Sequence, residues 1–156
     1  MEIDHYDDIK RSSDLKVYTF TSRGPKGDLL KIVNFGRFHK IPDAYNLALG
    51  TIKTRNEIDY FETSDNNDRD KILSTIFYIS LDFIKAYPNR KIFITGRNTA
   101  TTRLYRAAIN HEYDNLVENL IIHGLTYNES AEDYTLEPFL RNKKYDAFLF
   151  ERRRPW

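Results

Sequence analysis

Arg103 and Arg106 lie about one helical turn apart in KIFITGRNTATTRLYRAAIN, residues 91–110, the stretch best equipped for chemistry. Residues 91–95 read as a short buried strand, Gly96 breaks it, and a helix carrying both arginines follows. A strand that stops at a glycine and feeds a helix start directs backbone N–H groups and a positive dipole end at one spot. Two guanidinium groups near that start add charge-assisted donors. Gly96, Arg97, Thr99, Thr102, Arg103 and Arg106 are therefore the candidate ligand-binding set, and an oxyanion such as phosphate is what they suit. A plainer role fits the same residues: glycine ending a strand, threonines capping a helix, and arginines solvated or paired with carboxylates.

Other motifs bound the chemistry. There is no GxxxxGK[ST] or GxGxxG pattern, so the nucleotide-loop signatures do not apply. The carboxylates Asp65, Asp68 and Asp70 beside Asn66 and Asn67 lack the glycine and distal glutamate of an EF-hand loop and read as a helix-capping run. His5, His39, His111 and His123 share no metal-ligand spacing, so no metal and no cofactor is expected. His123 is the one candidate catalytic residue, a general base if it lies near the arginines. Its place in mid-strand beside Gly124 equally fits a structural histidine. No serine elbow is present. Lys143-Lys144 and Arg152-Arg153-Arg154 flank the last expected strand and could track a phosphate backbone or form a solvated chain end.

The elements that must position these residues are legible in the patterning. Residues 15–22 (LKVYTFTS) alternate with Tyr18 and Phe20 on one face, a strand. Residues 23–28 carry turn chemistry, which implies a fairly long loop, and residues 29–38 return as a second strand. Residues 45–53 and 57–63 read as a third and fourth strand. Residues 64–68 cap a helix over 68–87 whose apolar positions cover most of its circumference and which Pro88 stops. On the second helix, Leu104, Tyr105, Ala108, Ile109, Leu116 and Leu120 share one face, and Arg103, Arg106, Asn110 and Asp114 the other. Residues 119–126 suggest a strand, 127–134 a polar loop and 145–152 a final strand. The order β-β-β-β-α-β-α-β-β implies an α+β domain: a largely antiparallel sheet with two main helices packed on one face. A single domain over 1–156 is expected, with a loose N-terminal arm at 1–14 and a C-terminal tail at 152–156.

Composition excludes some partners and leaves others open. Formal charge is +1, which rules out a simple polycation, although residues 85–156 hold 12 basic against 9 acidic side chains. With no cysteine, disulfides and thiolate metal sites are excluded. No apolar run approaches ~18 residues and the first residues resemble no signal peptide, so a cytoplasmic protein without a membrane partner is expected.

Residues spread through the chain also resemble a known pattern. They include Tyr18-Thr19-Phe20 with Ser22, Gly24-Pro25-Lys26-Gly27, Asn46-Leu47-Ala48-Leu49-Gly50, Asn66-Asn67-Asp68, Phe93-Ile94-Thr95-Gly96, Thr102-Arg103-Leu104-Tyr105-Arg106 and Tyr145-Asp146-Ala147-Phe148-Leu149. On these the chain resembles an uncharacterised family of small bacterial proteins, found mainly in Bacteroidetes, with a TRLYR-type motif. That pattern has a small residue after the glycine and a further arginine two positions before Arg103. Here Arg97 and Thr101 occupy those places, relocating one positive charge. The resemblance implies no activity, substrate or cofactor. Two functions are carried forward. One is a phosphate-bearing ligand, a nucleotide or RNA, at residues 96–106, in a toxin–antitoxin or phage-defence setting that size alone suggests. The other is a non-catalytic interaction module or homodimer in which the arginines are structural.

Overall fold

The computed structural model describes residues 3–60 and 65–154. Its order is β1 (Lys10–Arg11), β2 (Val17–Gly24), β3 (Gly27–Arg37), β4 (Ala44–Thr54), β5 (Glu57–Asp59), α1 (Arg69–Ala86), β6 (Lys91–Ile94), α2 (Thr99–His111), α3 (Tyr113–Leu116), β7 (Leu120–Asn128), β8 (Asp133–Pro138) and β9 (Ala147–Arg152). These strands form one sheet in the order β1-β2-β3-β4-β6-β9-β7-β8, with β5 paired to β4. Every pairing is antiparallel except β4 with β6. The fold is α+β, a mostly antiparallel sheet with two main helices, and it adds β1, α3 and β8 to the expected order.

One face of the sheet carries the helices. Tyr18 and Phe20 of β2, Val33 and Phe35 of β3 and Leu47 of β4 join Ile76, Phe77, Ile79 and Phe83 of α1 in one buried cluster. The Phe35 and Phe83 rings stack at 4.1 Å. Helix α1 is buried along most of its circumference because it packs on this sheet face with α2 and the N-terminal residues Ile3 and Tyr6 in the same cluster, as its apolar circumference requires. The opposite face holds a smaller cluster of Ile41, Ala44, Phe93, Leu125, Ala147 and Leu149.

Four expectations are corrected. The loop at 23–28 is a two-residue turn: Gly24 pairs with Gly27, whose φ of 88° lets the chain reverse at Pro25-Lys26. The polar stretch 127–134 belongs mainly to the β7–β8 hairpin, in which Tyr127 faces Tyr134 with ring centroids 5.1 Å apart. Leu116 and Leu120 do not continue α2. They lie in α3 and at the start of β7, yet both enter the same core as Tyr105 and Ile109. The capping run does not cap: no side chain of Asp68 bonds the first turn of α1. Its carboxylate instead accepts from the Tyr6 and Ser22 hydroxyls, both at 2.6 Å.

The chain ends are more engaged than an arm and tail suggest. Ile3 and Tyr6 are buried, and the Tyr6 N–H donates to Thr75 Oγ1 at 3.0 Å. Arg152 pairs with Leu120, and the Arg153 N–H donates to the Asn119 carbonyl at 2.8 Å. The expected fourth strand is described only to Asp59, since residues 61–64 lie outside the described part, as do Pro155 and Trp156. Among the described residues, no helix is long and apolar enough to cross a membrane.

Candidate functional site

Gly96 follows β6 after a single residue, Thr95, and α2 starts three residues later. A Cβ at Gly96 would overlap the Thr102 backbone nitrogen, so the glycine lets the first turn of α2 sit against the end of β6. The Gly96 N–H donates to Thr102 Oγ1 at 3.1 Å, and the Thr102 hydroxyl donates to the Asn98 carbonyl at 3.0 Å. Thr102 is buried and serves the turn itself. Asn98 is the N-cap, its side chain accepting from the Thr101 N–H at 2.8 Å and the Thr101 hydroxyl at 3.0 Å.

A groove of about 400 Å³ opens beside this turn. Thr99, Arg103 and Arg106 line it from α2, Thr126 from β7, and Lys144 and Asp146 from the approach to β9. Topology brings the last two there. β9 runs antiparallel to β6 with Phe148 opposite Ile94, so the residues before β9 lie beside those after β6. The Thr95 hydroxyl donates to the Asp146 carbonyl at 2.8 Å, closing that corner.

The groove is electropositive. Its three cations face one carboxylate, Asp146, which already accepts the Tyr127 N–H at 2.7 Å. Among the described residues the ion pairs lie elsewhere, and none includes Arg103, Arg106 or Lys144. Arg103 is exposed. Among the described residues Arg106 donates only to the Arg141 carbonyl, at 3.4 Å, and its Nε is buried without a partner. Asn110, one turn further on, donates to the same carbonyl at 2.9 Å, so α2 anchors the segment that carries Lys144.

The structure brings Gly96, Thr99, Thr102, Arg103 and Arg106 to this groove and separates two other candidates from it. Arg97 lines a second, larger concavity on the other side of the first turn of α2. His123 alternates with Ile122, which faces the helices, and so points with Leu125 to the opposite sheet face. There its Nδ1 lies 3.8 Å from Glu151, which also meets Lys91 at 3.7 Å. A base at His123 cannot serve an anion held beside α2. Lys144 and Asp146 were hidden in the sequence because only the β6–β9 pairing places them; the Lys143-Lys144 doublet was the available signal, read there as either tracking a phosphate backbone or forming a solvated chain end.

The larger concavity is a cleft of about 1720 Å³ between the starts of α1 and α2. It exists because two strands share one edge of β4. β6 pairs with residues 44–46 and β5 with residues 51–54, leaving residues 47–50 without a strand partner on that side among the described residues. Leu47, Leu49, Ile72, Leu104 and Tyr105 contribute apolar wall. Lys31 is buried at its floor, donating to Thr51 Oγ1 at 2.6 Å. Burial pushes the Tyr105 phenol up to about 12, so it stays protonated well above neutral pH. Among the described residues no three His, Asp or Glu side chains converge as metal ligands.

No curated protein and no solved structure matches the chain. A family model does match, over residues 2–153, and on that coverage the chain belongs to a family of unknown function (DUF6934).

Proposed function

We propose that this protein binds a phosphate-bearing ligand, a nucleotide or RNA, in the groove beside α2, with Arg103, Arg106 and Lys144 as its cationic contacts. One observation carries the reading: three cations line one concavity and none is ion-paired among the described residues. Like charges brought together repel, and their cost is offset when an anion sits between them. Thr99 and Thr126 supply hydroxyls, and the start of α2 adds its positive end. Within the TRLYR-type stretch the roles divide: Thr102 and Tyr105 pack, while Arg103 and Arg106 face the groove.

The reading is one of binding. Among the described residues Asp146 is the only carboxylate of the groove and is held by a backbone N–H, and His123 lies on the other sheet face. A nuclease acting through His123 therefore has no geometric support, and a toxin–antitoxin or phage-defence setting forms no part of the proposal. The alternative, a non-catalytic interaction module or homodimer with structural arginines, draws on the Arg106–Arg141 contact alone. Calorimetric titration with phosphate, pyrophosphate and nucleotides, alongside thermal melts, separates the two. Arg103→Ala should leave the fold intact and weaken ligand binding by about 1.5–3 kcal/mol, the range for a hydrogen bond to a charged group. A parent protein that binds none of these probes, with Arg103→Ala and Arg106→Ala both strongly destabilised, overturns the reading.

A further inference from the structure

Asp146 is out of keeping with the rest of the groove. Arg103, Arg106 and Lys144 suit an anion, and a carboxylate beside them competes with it. Neutralising those cations does not account for its place: among the described residues no ion pair joins Asp146 to any of the three. Nor is it loosely held. Its N–H donates to the Leu125 carbonyl at 2.8 Å, its carbonyl accepts the Thr95 hydroxyl at 2.8 Å, and its Oδ2 accepts the Tyr127 N–H at 2.7 Å. Among the described residues the other carboxylate oxygen, Oδ1, accepts no hydrogen bond. The groove thus contains one charged acceptor, fixed at three atoms and open at a fourth.

A fixed carboxylate sorts oxyanions by whether they carry a donor. A fully ionised oxyanion meets it as like charge, with no proton between the two. An oxyanion with an O–H or N–H of its own gives the same oxygen a charge-assisted hydrogen bond, and repulsion becomes attraction. The cations attract both kinds of ligand. What separates the two is Asp146, because a site equipped to accept a hydrogen bond rejects the analogue that lacks the donor.

From this we infer that Asp146 sets specificity, and that the groove selects oxyanions carrying a hydrogen-bond donor beside the charge. A phosphate that retains a proton is one such ligand, and a phosphate ester with a hydroxyl next to the ester bond is another. Sulfate and an ionised simple ester are not. The inference rests on the groove being the phosphate site and adds which phosphates it accepts.

Calorimetric titration of the full chain with four dianions tests this at about pH 8, where a phosphomonoester, with a second pKa of about 6, is ionised. Inorganic phosphate keeps a proton there, and glycerol 2-phosphate has hydroxyls beside its ester. Sulfate and methyl phosphate have no donor. Charge is matched, so the donor is the variable. At least one donor-bearing ligand should bind about tenfold or more tighter than sulfate and methyl phosphate. Inorganic phosphate alone in front places the donor on the anion, and glycerol 2-phosphate alone in front places it on the neighbouring carbon. Asp146→Asn should erase the preference, since its side-chain carbonyl can keep the Tyr127 N–H while its amide turns donors to the groove. Arg103→Ala should weaken every ligand that binds. Sulfate and methyl phosphate binding as tightly as the other two overturns the selection while the groove stands. That comparison uses the parent chain, so it decides the matter even where Asp146→Asn fails to fold. A preference that persists in a folded Asp146→Asn overturns the role of Asp146. Failure of all four to bind removes the groove itself, and the inference with it.

Discussion

Asn66 and Asn67 are adjacent, identical in type and opposite in what they should do when replaced. Asn66 is buried, and its side chain accepts the Lys26 N–H at 2.8 Å while donating to the Gly27 carbonyl at 3.0 Å and to Ser22 Oγ at 3.1 Å. It ties the β2–β3 turn to the start of α1, and a Cβ at Gly24 would overlap its backbone carbonyl. Asn66→Ala removes three hydrogen bonds, each contributing about 0.5–1.5 kcal/mol net. Ser22 keeps its bond to Asp68, and the turn groups are reached by water, so no large unsatisfied-group penalty is added. The expected loss is roughly 2–4 kcal/mol. Asn67 is exposed with φ 58°, so Asn67→Gly should change stability by less than about 0.5 kcal/mol, and Asn67→Ala should cost roughly 1–2 kcal/mol through left-handed strain. Urea denaturation with intrinsic fluorescence or circular dichroism measures all three. A loss under about 1 kcal/mol for Asn66→Ala, or a larger loss for Asn67→Ala, would refute the clamp.

Three further outcomes test the fold. Phe77→Ala should cost about 3–5 kcal/mol in the same denaturation, because Phe77 is fully buried between the sheet and α1. Arg90→Ala should cost about 1–2 kcal/mol, since the Arg90 guanidinium lies 3.7 Å from the Tyr87 ring centre and 4.6 Å from that of Tyr45; Arg90→Lys should recover only part. The Tyr105 phenol is raised from 10 to about 12 by burial, so its contribution is fully present below pH 10 and is lost as pH rises towards 12. Denaturation melts across that window should decline less steeply for Tyr105→Phe than for the parent, by up to about 1.4 kcal/mol per pH unit.

What was legible in the sequence follows from which elements have one consistent environment. α1 meets apolar neighbours almost all round, so Ile72, Ile76, Phe77 and Phe83 announce it. β2 has one buried face, and Tyr18, Phe20 and Ser22 alternate accordingly. β8 pairs only with β7 at the sheet edge and has no fully buried residue, so no period marks Asp133–Pro138 as a strand. The run 64–68 carries the residue types of a helix cap, but Tyr6 and Ser22, distant in sequence, provide stronger partners for Asp68 than the first turn of α1. The site divides the same way. Gly96, Thr102 and the arginines form a local turn and could be found by spacing. Lys144 reaches the groove only through the β6–β9 pairing, and the cleft only through the sharing of β4 by two strands.

The fold also shows which residues it does not need, and that strengthens the reading of the groove. Gly24 makes room for Asn66, Gly96 for Thr102 and Gly124 for the Tyr145 ring. Ser22, Asn66 and Asp68 bond one another, and Tyr105, Phe148 and Leu149 are buried. Each of these has a structural cause. Arg106 has half of one, since its guanidinium reaches the Arg141 carbonyl while its Nε is buried without a partner. Arg103 has none: it is exposed, makes no ion pair among the described residues, and faces a groove already made positive by Arg106 and Lys144. Stability alone would favour a neutral or acidic side chain at that position, near the positive end of α2 and beside two cations. A third cation there works against the free protein, which supports the proposal that the groove receives an anion.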